Sequence, residues 1–252
     1  MAADLAGHYD AKYGAERAGG DARVATPDAH PCDRHEACLH YFPQHFRGGQ
    51  ILELGAGSGL IARSLIAAGV DFEGYTATDL SPARVEGLRQ SLDDPRIRVA
   101  RLDAEAPDGD HRGRYDAVIL LALVEHFVDP LRALRNVREM LKPGGFAYVD
   151  TPNIAKYTRR LKLLAGRFPG TASRDEGLLT LDGRPVDLHE EGHLHYFTYR
   201  SLSRLLLERC GFERVGRAPY ASPPLPLGRR FHAGLARLRP ELFAELALVA
   251  WR

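Results

Sequence analysis

The sequence predicts an α/β protein built on a parallel β-sheet. Short apolar runs alternate with amphipathic stretches from residue 50 to about residue 149, a pattern typical of repeated strand–helix units. Two of the amphipathic stretches begin with a capping residue followed by proline, Ser81-Pro82 and Asp129-Pro130, as helices often do. With 252 residues, of which 44% are hydrophobic, the chain can bury a large core without metal ions or disulfides.

The apolar runs place five strands near residues 50–54, 73–78, 96–102, 115–121 and 145–150. Helices are expected between them at 58–68, 81–91 and 129–141, the first ending at Gly69 and the last before a turn at 142–145. Beyond residue 151 the alternation stops. The later pattern predicts a basic amphipathic helix over 153–164, a helix over 201–210, a proline-rich loop and short helix within 218–243, and closing strands at 212–217 and 244–251.

Composition and charge exclude several classes of protein. The 34 basic and 33 acidic side chains leave a formal net charge of +1, whereas a general nucleic-acid binder needs a basic face. Three cysteines without a C-x-x-C pair are too few for a disulfide framework and favour a reducing compartment. The acidic N-terminal residues do not match a signal peptide, and the longest apolar run, 117–124, is far shorter than the roughly 20 residues of a membrane helix. We therefore expect a cytoplasmic protein without a transmembrane segment.

A glycine-rich turn follows the first strand. Gly55, Gly57 and Gly59, with Ala56 between the first two, allow a sharp turn and let a ligand lie against the backbone. Residues 57–62 also fit the G-x-G-x-x-A pattern of nicotinamide-binding proteins. The turn alone therefore leaves the cofactor open.

Three acidic residues near the predicted strand ends bear on that choice. Glu53 lies two residues before the first glycine, where its carboxylate would repel a pyrophosphate and suit a cationic ligand. Asp79, at the end of the second strand, can bind the ribose diol of either cofactor, and Asp103, after the third, can accept a hydrogen bond from an adenine amino group. The set favours a cationic nucleoside.

As a set, these motifs resemble those of the class I S-adenosylmethionine-dependent methyltransferases over roughly residues 50–217. The resemblance implies a Rossmann-like sheet of seven strands, mostly parallel with an antiparallel last strand, helices on both faces, and helical or loop insertions forming a cap. It implies S-adenosyl-L-methionine as the cofactor and S-adenosyl-L-homocysteine as its product. The residues implied to bind the cofactor are the glycine turn with Glu53, the pairs Asp79-Leu80 and Asp103-Ala104, and Leu121 at the end of the fourth strand.

Two later segments, VEHFVDP at 124–130 and EGHLHYFTYRSLSRLLLERCGF at 191–212, resemble a small-molecule branch of these enzymes. The branch is similar to the ubiquinone-biosynthesis O-methyltransferases and to bacterial natural-product and glycan methyltransferases, which implies a small-molecule acceptor; we favour oxygen as the acceptor atom. It also implies a helical lid over residues 1–48, in which Tyr13 contacts the cofactor and Tyr9 the acceptor. The methyltransferase domain follows at 49–252, with cap insertions at about 152–193 and 218–243. The alternative is that the two tyrosines anchor a surface helix.

His126 is the first candidate for a catalytic base. Methyl transfer from a sulfonium is an in-line displacement, so an enzyme mainly aligns the reactants and excludes water, and it needs a base only where the acceptor must lose a proton. His126 and Glu125 follow the fourth strand, at the sheet edge where open α/β proteins place reactive groups. We assign His126 to catalysis and Glu125 to substrate binding. The alternative is that His126 caps the following loop or binds a backbone carbonyl.

A second group of histidines, His189, His193 and His195, lies beside two glutamates. In the branch named above this run lines the acceptor pocket, so we assign His193 to catalysis, and His195 and Tyr196 to substrate binding. Structural roles and metal coordination are the alternatives, because the residue types suit a metal and His193 and His195 would share one face of a strand. We assign no metal, since ligand clusters without a supporting motif are weak signals.

Residues 151–174 contain six Lys or Arg and no acidic residue. A solvated helix face is the ordinary explanation of such a run. The sharper hypothesis is that Arg159 and Arg160 guide an anionic or carrier-bound acceptor, such as a phosphorylated or nucleotide-linked sugar, and we assign Arg160 to substrate binding. Docking on a membrane surface is a third hypothesis. The sequence is also compatible with a homodimer.

Several functions compete with O-methylation of a small molecule. Methyl transfer to nitrogen or carbon would use the same fold, and a catalytically silent cofactor-binding subunit would support a partner protein. The hypothesis of a nicotinamide-dependent reductase is supported by the G-x-G-x-x-A pattern alone. A nucleic-acid partner is not expected, because no Asn-Pro-Pro-Tyr motif follows the fourth strand.

Overall fold

Seven strands form one sheet in the computed structural model, which describes residues 24–109, 111–171, 193–222 and 228–252. In chain order the strands are β1 (Gln50–Leu54), β2 (Gly74–Asp79), β3 (Ile97–Arg101), β4 (Tyr115–Leu121), β5 (Leu141–Thr151), β6 (Arg214–Arg217) and β7 (Leu246–Trp251). The described helices are α1 (Arg34–His45), α2 (Leu60–Ala67), α3 (Pro82–Ser91), α4 (Pro130–Met140), α5 (Tyr157–Leu164), α6 (Tyr199–Arg204), α7 (Arg229–Leu238) and α8 (Pro240–Phe243).

The strands lie in the order β3-β2-β1-β4-β5-β7-β6. The strands β1 to β5 are parallel to one another, whereas β7 pairs antiparallel with both β5 and β6. The prediction of a mostly parallel seven-stranded sheet with an antiparallel last strand is therefore confirmed. Chain order reverses between β1 and β4, which makes their carboxyl ends the place where a ligand site is expected.

The pleat of the strands divides the core into two layers. In β4, Ala117 and Ile119 belong to one hydrophobic cluster, and Val118 and Leu120 to the other. The first cluster includes residues of α1, α2 and α3, and the second includes residues of α4 and α6. Because successive side chains of a strand point to opposite faces, helices cover both sides of the sheet, as predicted.

Both helix starts predicted from a capping residue and proline are confirmed. The Ser81 hydroxyl accepts a hydrogen bond from the backbone N–H of Arg84 at 3.2 Å. The Asp129 carboxylate accepts one from the N–H of Arg132 at 3.0 Å. These caps satisfy backbone donors that the first turn of a helix leaves without partners.

Some element bounds differ from those predicted. Helix α2 begins at Leu60 rather than at residue 58, because its N-cap, Gly59, has a φ of 77°. The segment 142–145 is part of β5, which already begins at Leu141 opposite Tyr115. The helix predicted over 153–164 begins at Tyr157, and the one predicted over 201–210 divides into α6 and a π-helical turn, Leu205–Arg209.

Part of the predicted N-terminal lid belongs to the core. Phe42 of α1 is fully buried, with its ring centroid 5.3 Å from that of Phe146 in β5. The segment 34–45 therefore packs on the sheet, while Tyr9 and Tyr13 lie outside the described residues. The division at residues 48 and 49, and the cap insertions, stay predictions.

Among the residues that the structure describes, no helix is both long and apolar enough to cross a lipid bilayer.

Candidate functional site

A cleft of about 250 Å³ opens at the carboxyl ends of β1, β2 and β4 and beside the segment that follows β3. This is the edge at which strand order reverses, so side chains that follow four different strands meet there. Seven residues assigned from the sequence line the cleft together: Gly55, Asp79, Leu80, Asp103, Ala104, Leu121 and His126.

The glycine turn shapes one wall of the cleft. Gly55 has a φ of 69°, and a Cβ atom at this position would lie 3.0 Å from the Leu123 side chain. Gly57, with a φ of 55°, donates its N–H to the Asp79 carboxylate at 3.2 Å. Left-handed backbone at these positions favours glycine, and at Gly55 it leaves the wall of the cleft without a side chain. Ala56, Gly57 and Gly59 do not line the cleft.

Asp79 and Asp103 stand at the ends of neighbouring strands. One oxygen of Asp79 accepts the Gly57 N–H and the other accepts the Ser81 N–H at 3.0 Å. Burial raises the pKa of Asp79, although these backbone donors and Arg84 oppose the shift. Asp103 accepts the N–H of Glu105 at 2.8 Å. Each carboxylate keeps further lone pairs, so the pair can accept hydrogen bonds from hydroxyl and amino groups of a nucleoside.

Glu53 lies beneath the turn rather than in the cleft. It is 3% exposed and accepts a hydrogen bond from the Tyr75 hydroxyl at 2.6 Å. Burial raises its pKa to about 8, although the Tyr75 hydrogen bond opposes the shift. Its assignment to cofactor binding stays a prediction.

The raised pKa of Glu53 gives the first testable prediction. Between pH 4.5 and 8 the folded state holds a proton at Glu53 that the unfolded chain releases, so this residue makes stability fall as pH rises. The charge of Asp79 raises the pKa of Glu53 and the charge of Arg63 lowers it, and both residues are kept in the variant Glu53→Gln. We expect the free energy of unfolding of Glu53→Gln to fall less steeply with rising pH than that of the parent protein. The two slopes are expected to differ by up to about 1.4 kcal/mol per pH unit.

Urea denaturation at pH 5, 6.5 and 8 measures this difference. Glu86→Gln, on the exposed side of α3, is the matched control and is expected to follow the parent protein. Parallel curves for Glu53→Gln and the parent would contradict the prediction.

Glu125, His126 and His193 form a polar cluster beside the cleft. Their ligand atoms all lie within 4.8 Å of one another, and the two imidazole rings meet edge to face with centroids 4.7 Å apart. Glu125 is 1% exposed, and its Oε2 accepts the Thr151 hydroxyl at 2.9 Å. Burial raises the pKa of Glu125 to about 7, against the opposing charge of Arg34.

Backbone hydrogen bonds bring His193 to this place. The N–H groups of Leu194 and His195 donate to the carbonyl of Glu125 at 2.8 Å and 3.1 Å. The His193 ring is held on its other side by the Thr171 hydroxyl, 2.7 Å from Nδ1. Residues far apart in the chain therefore converge on the end of β4.

The remaining predicted acceptor contacts lie outside this cluster. The Nε2 atom of His195 is 3.4 Å from the carbonyl of Val128, and the segment around it is not a regular strand. Tyr196 is 40% exposed and its ring lies edge-on to that of Phe168. Neither side chain lines the cleft, and His189 lies outside the described residues. Their roles stay predictions.

Arg159, which the hypothesis above gives to an anionic acceptor, forms an ion pair within the fold, and its role toward an acceptor stays a prediction. Its guanidinium lies 2.8 Å from a Glu245 oxygen, and Lys156 lies 2.9 Å from the other oxygen of the same carboxylate. Glu245 therefore pairs with two of the six basic side chains and balances one of their two charges, from a position more than 80 residues later in the chain. Arg160 remains exposed and donates to the carbonyl of Ala155. Its assignment to substrate binding stays a prediction.

The sequence did not point to several cleft residues. Glu105 accepts the N–H groups of Val128 and Asp129, both at 2.8 Å, and so joins the loops that follow β3 and β4. Ala122 has a φ of 47°, a strained conformation for a residue other than glycine. No local sequence motif predicts either feature. Arg84 could have been predicted as a cleft residue, because it lies in the first turn of α3, directly after the strand that ends at Asp79. The unassigned lining residues are Leu54, Arg84, Leu102, Glu105, Ala122, Leu123 and Phe127.

Comparison with known sequences gives consistent matches. A family model described as a methyltransferase domain matches residues 29–215. The ubiquinone biosynthesis O-methyltransferase of Shewanella pealeana is 32% identical over 108 residues, which are 42% of this chain and 44% of that protein. The enzyme of the same name from Marinobacter nauticus is 33% identical over 108 residues, 42% of this chain and 45% of that protein. The matched regions thus span less than half of these relatives.

Solved structures share the fold at low sequence identity. A chain from the complex between the Haloferax volcanii Trm112 methyltransferase activator and a methyltransferase superposes with a TM-score of 0.59 and 16% identity, covering 86% of this chain and 90% of that one. An S-adenosylmethionine-dependent methyltransferase from Mesorhizobium loti superposes with a TM-score of 0.54 and 19% identity, covering 86% and 98%. At such identities these similarities show the fold alone.

Proposed function

We propose that this chain, which belongs to the methyltransferase domain family, transfers the methyl group of S-adenosylmethionine to an oxygen atom of a small molecule. Family membership confirms two predictions from the sequence, the class I methyltransferase family and S-adenosylmethionine as the cofactor. The acceptor and its atom are parts of the proposal.

The described residues fit this cofactor. Gly55 keeps one wall free of a side chain where a Cβ would meet Leu123 at 3.0 Å. Asp79 and Asp103 offer acceptors suited to ribose hydroxyls and an adenine amino group, and neighbouring apolar side chains such as Leu102 and Phe127 suit a purine face.

One observation carries the proposed reaction: His126 lines the same cleft as Asp79 and Asp103. S-adenosylmethionine, when bound, supplies a methyl group on a sulfonium, which leaves as a neutral thioether when the acceptor oxygen attacks. His126 takes the proton that a hydroxyl acceptor must lose, His193 keeps its assignment to catalysis beside it, and Glu125 contacts the acceptor. Leu121 and Phe127 help to exclude water.

Similarity to relatives supports oxygen as the acceptor atom. The matched relatives are named ubiquinone biosynthesis O-methyltransferases, and their similarity covers 42% of this chain. We draw the reaction type from that name and leave the identity of the acceptor open among natural-product, glycan and quinone-type compounds. The proposal includes an anionic or carrier-bound acceptor, because the exposed cation Arg160 can bind such a compound.

Calorimetry and product detection test the proposal together. We expect S-adenosylhomocysteine to bind with one site per chain and NADPH not to bind. We expect methyl-labelled S-adenosylmethionine to label at least one compound in a panel of catechols, hydroxybenzoates and sugars. With that acceptor, His126→Ala is expected to lower kcat by about 10²- to 10⁴-fold, the usual contribution of a base.

Other outcomes would identify the competing functions. Cofactor binding without any labelled product would favour a silent subunit, and label on nitrogen or carbon would replace the proposed acceptor atom. Full turnover by His126→Ala would remove this residue from the mechanism.

A further inference from the structure

We propose that a basic pocket between α1, the end of β6 and the turn from α7 to α8 binds the phosphate groups of a small organic phosphate. The pocket has a volume of about 490 Å³, and its charged lining residues are Arg217, Arg237, Arg239 and Glu241. One carboxylate cannot balance three guanidinium groups, so the pocket keeps an excess of positive charge. Guanidinium groups bind phosphate oxygens through paired N–H donors, and arginine is therefore favoured where phosphate is recognised.

This basic pocket is separate from the cofactor cleft. Of the residues that the structure describes, none lines both. Arg217 is the last residue of β6, and β6 and β5 both pair antiparallel with β7, so the pocket opens at the same edge of the sheet as the cleft. Three strand spacings of about 4.8 Å place the ends of β4 and β6 on the order of 14 Å apart. A ligand in this pocket is additional to the cofactor and lies beyond the proposed function.

Two of the arginines are held in place by contacts within the fold. Arg237 donates a hydrogen bond to the carbonyl of Ala29 at 2.8 Å. The Arg217 guanidinium lies 2.6 Å from a Glu241 oxygen and over the Tyr199 ring, 5.3 Å from its centroid. Side chains that are already ordered lose less conformational entropy when a ligand binds, so these contacts favour binding of an anion.

The other charges of the pocket are not balanced by acidic groups. Within the described part of the chain, Arg237 and Arg239 form no ion pair, and both are exposed. The charge of Arg237 also acts on α1, where burial lowers the pKa of His40 and Arg237 lowers it further. A pocket dominated by charge of one sign concentrates ions of the opposite sign.

Apolar groups beside the arginines favour an organic phosphate over inorganic phosphate alone. Tyr41, Pro219 and Leu238 line the pocket, and Leu238 is 73% exposed. The Tyr41 hydroxyl donates to the carbonyl of Pro219 at 2.9 Å, so its polar group already has a partner. Sites for small molecules combine apolar surface with a few polar groups in volumes of about 300–1,000 Å³. The pocket therefore suits a phosphorylated sugar or nucleoside.

NMR titration with phosphate compounds tests the pocket. The isotope-labelled full chain is titrated with sodium pyrophosphate, UDP and uridine at constant ionic strength, and the ring signals of His40 are followed. We expect pyrophosphate to bind with a Kd in the millimolar range, because exposed charge pairs are weak. UDP is expected to bind about 3- to 10-fold more tightly, since its base and ribose add apolar contact, and uridine is expected not to bind.

The pKa of His40 gives a second measurement from the same titration. Bound pyrophosphate is expected to raise this pKa, because the anion offsets the charge of Arg237. Binding in the millimolar range stays undetected in the micromolar calorimetry that compares S-adenosylhomocysteine with NADPH.

Matched variants make the result specific to the pocket. Arg239→Gln and Arg237→Gln each remove one of its cations and are expected to weaken pyrophosphate binding at least about 5-fold. Arg230→Gln is the control, because Arg230 is exposed on the same helix, α7, and does not line the pocket. Folding is checked by circular dichroism, and the exposed Arg239 still tests the site if Arg237→Gln does not fold.

Several outcomes would overturn the inference. Equal affinity for pyrophosphate in the parent chain and both pocket variants would do so, as would equal affinity for pyrophosphate and sulfate. Binding to phosphatidylglycerol vesicles without binding of pyrophosphate or UDP would assign the basic surface to lipid instead.

Saturating S-adenosylhomocysteine separates this site from the cleft. Pyrophosphate is expected to bind equally well with and without S-adenosylhomocysteine, and competition between them would place the phosphate in the cleft and overturn the inference. A chain that binds pyrophosphate but not S-adenosylhomocysteine would contradict the proposed function and retain the phosphate site.

Discussion

Replacing Glu245 with alanine is expected to lower the free energy of unfolding by about 3–5 kcal/mol, because it leaves two buried cations without their counter-charge. The Glu245 carboxylate bridges Lys156 and Arg159 and also accepts the backbone N–H of Asn153 at 3.0 Å. Lys156 is 3% exposed and Arg159 is 13% exposed at the side chain. Neither cation can recover full hydration in the folded protein.

The pH dependence of this network has a definite sign. Burial alone would raise the pKa of Glu245, but Arg159 and Lys156 hold it below its ordinary value. The contribution of Glu245 is therefore complete above pH 4.5 and is lost as pH falls through the lower pKa of the folded state.

Guanidinium denaturation at pH 7 measures the effect. Glu241→Ala is the matched control, since Glu241 lies four residues earlier and pairs with Arg217 where both side chains are more than 40% exposed. Exposed pairs contribute about 0–1 kcal/mol, so the control is expected to change stability little. Equal destabilisation by the two variants would show that the buried bridge has no special role.

Replacing Asp79 with alanine is expected to weaken binding of S-adenosylhomocysteine by about 10- to 100-fold. Each hydrogen bond to a charged group contributes roughly 1.5–3 kcal/mol, and tenfold in affinity corresponds to about 1.4 kcal/mol. The substitution also removes the acceptor that holds the N–H groups of Gly57 and Ser81, so the glycine turn loses a support.

Calorimetry with S-adenosylhomocysteine measures the loss. Asp94→Asn is the control, because Asp94 precedes β3 and pairs with Arg96 at the opposite end of the sheet from the cleft. It is expected to bind S-adenosylhomocysteine like the parent chain. Retention of full affinity in Asp79→Ala would remove Asp79 from the cofactor site.

The cleft could be predicted from the sequence because each part of it follows its own strand. Gly55, Asp79, Asp103 and His126 come after β1, β2, β3 and β4, and parallel strands place their carboxyl ends at one edge of the sheet. Local sequence patterns, each at the end of one strand, were therefore sufficient to predict that these four residues lie together. The number of strands and the antiparallel last strand were implied by the family resemblance, whereas the strand order came from the structure.

The direction and burial of single side chains could not be predicted in this way. Glu53 has the sequence position expected of a ligand to a positive charge, yet the structure turns it to Tyr75 beneath the glycine turn. Glu53 is buried against Tyr75 of the neighbouring strand, and no local sequence motif predicts this contact.

The sequence by itself determined the alternation of strands and helices, the glycine turn and the family, because these depend on patterns within a few neighbouring residues. Only the tertiary structure decided that Glu245 pairs with Lys156 and Arg159 of the basic segment and that His193 lies beside Glu125 and His126. These contacts depend on distance in the folded protein, and the residues that form them lie tens of residues apart along the chain. Their effect on function is therefore fixed by the folding of the later segments onto the sheet.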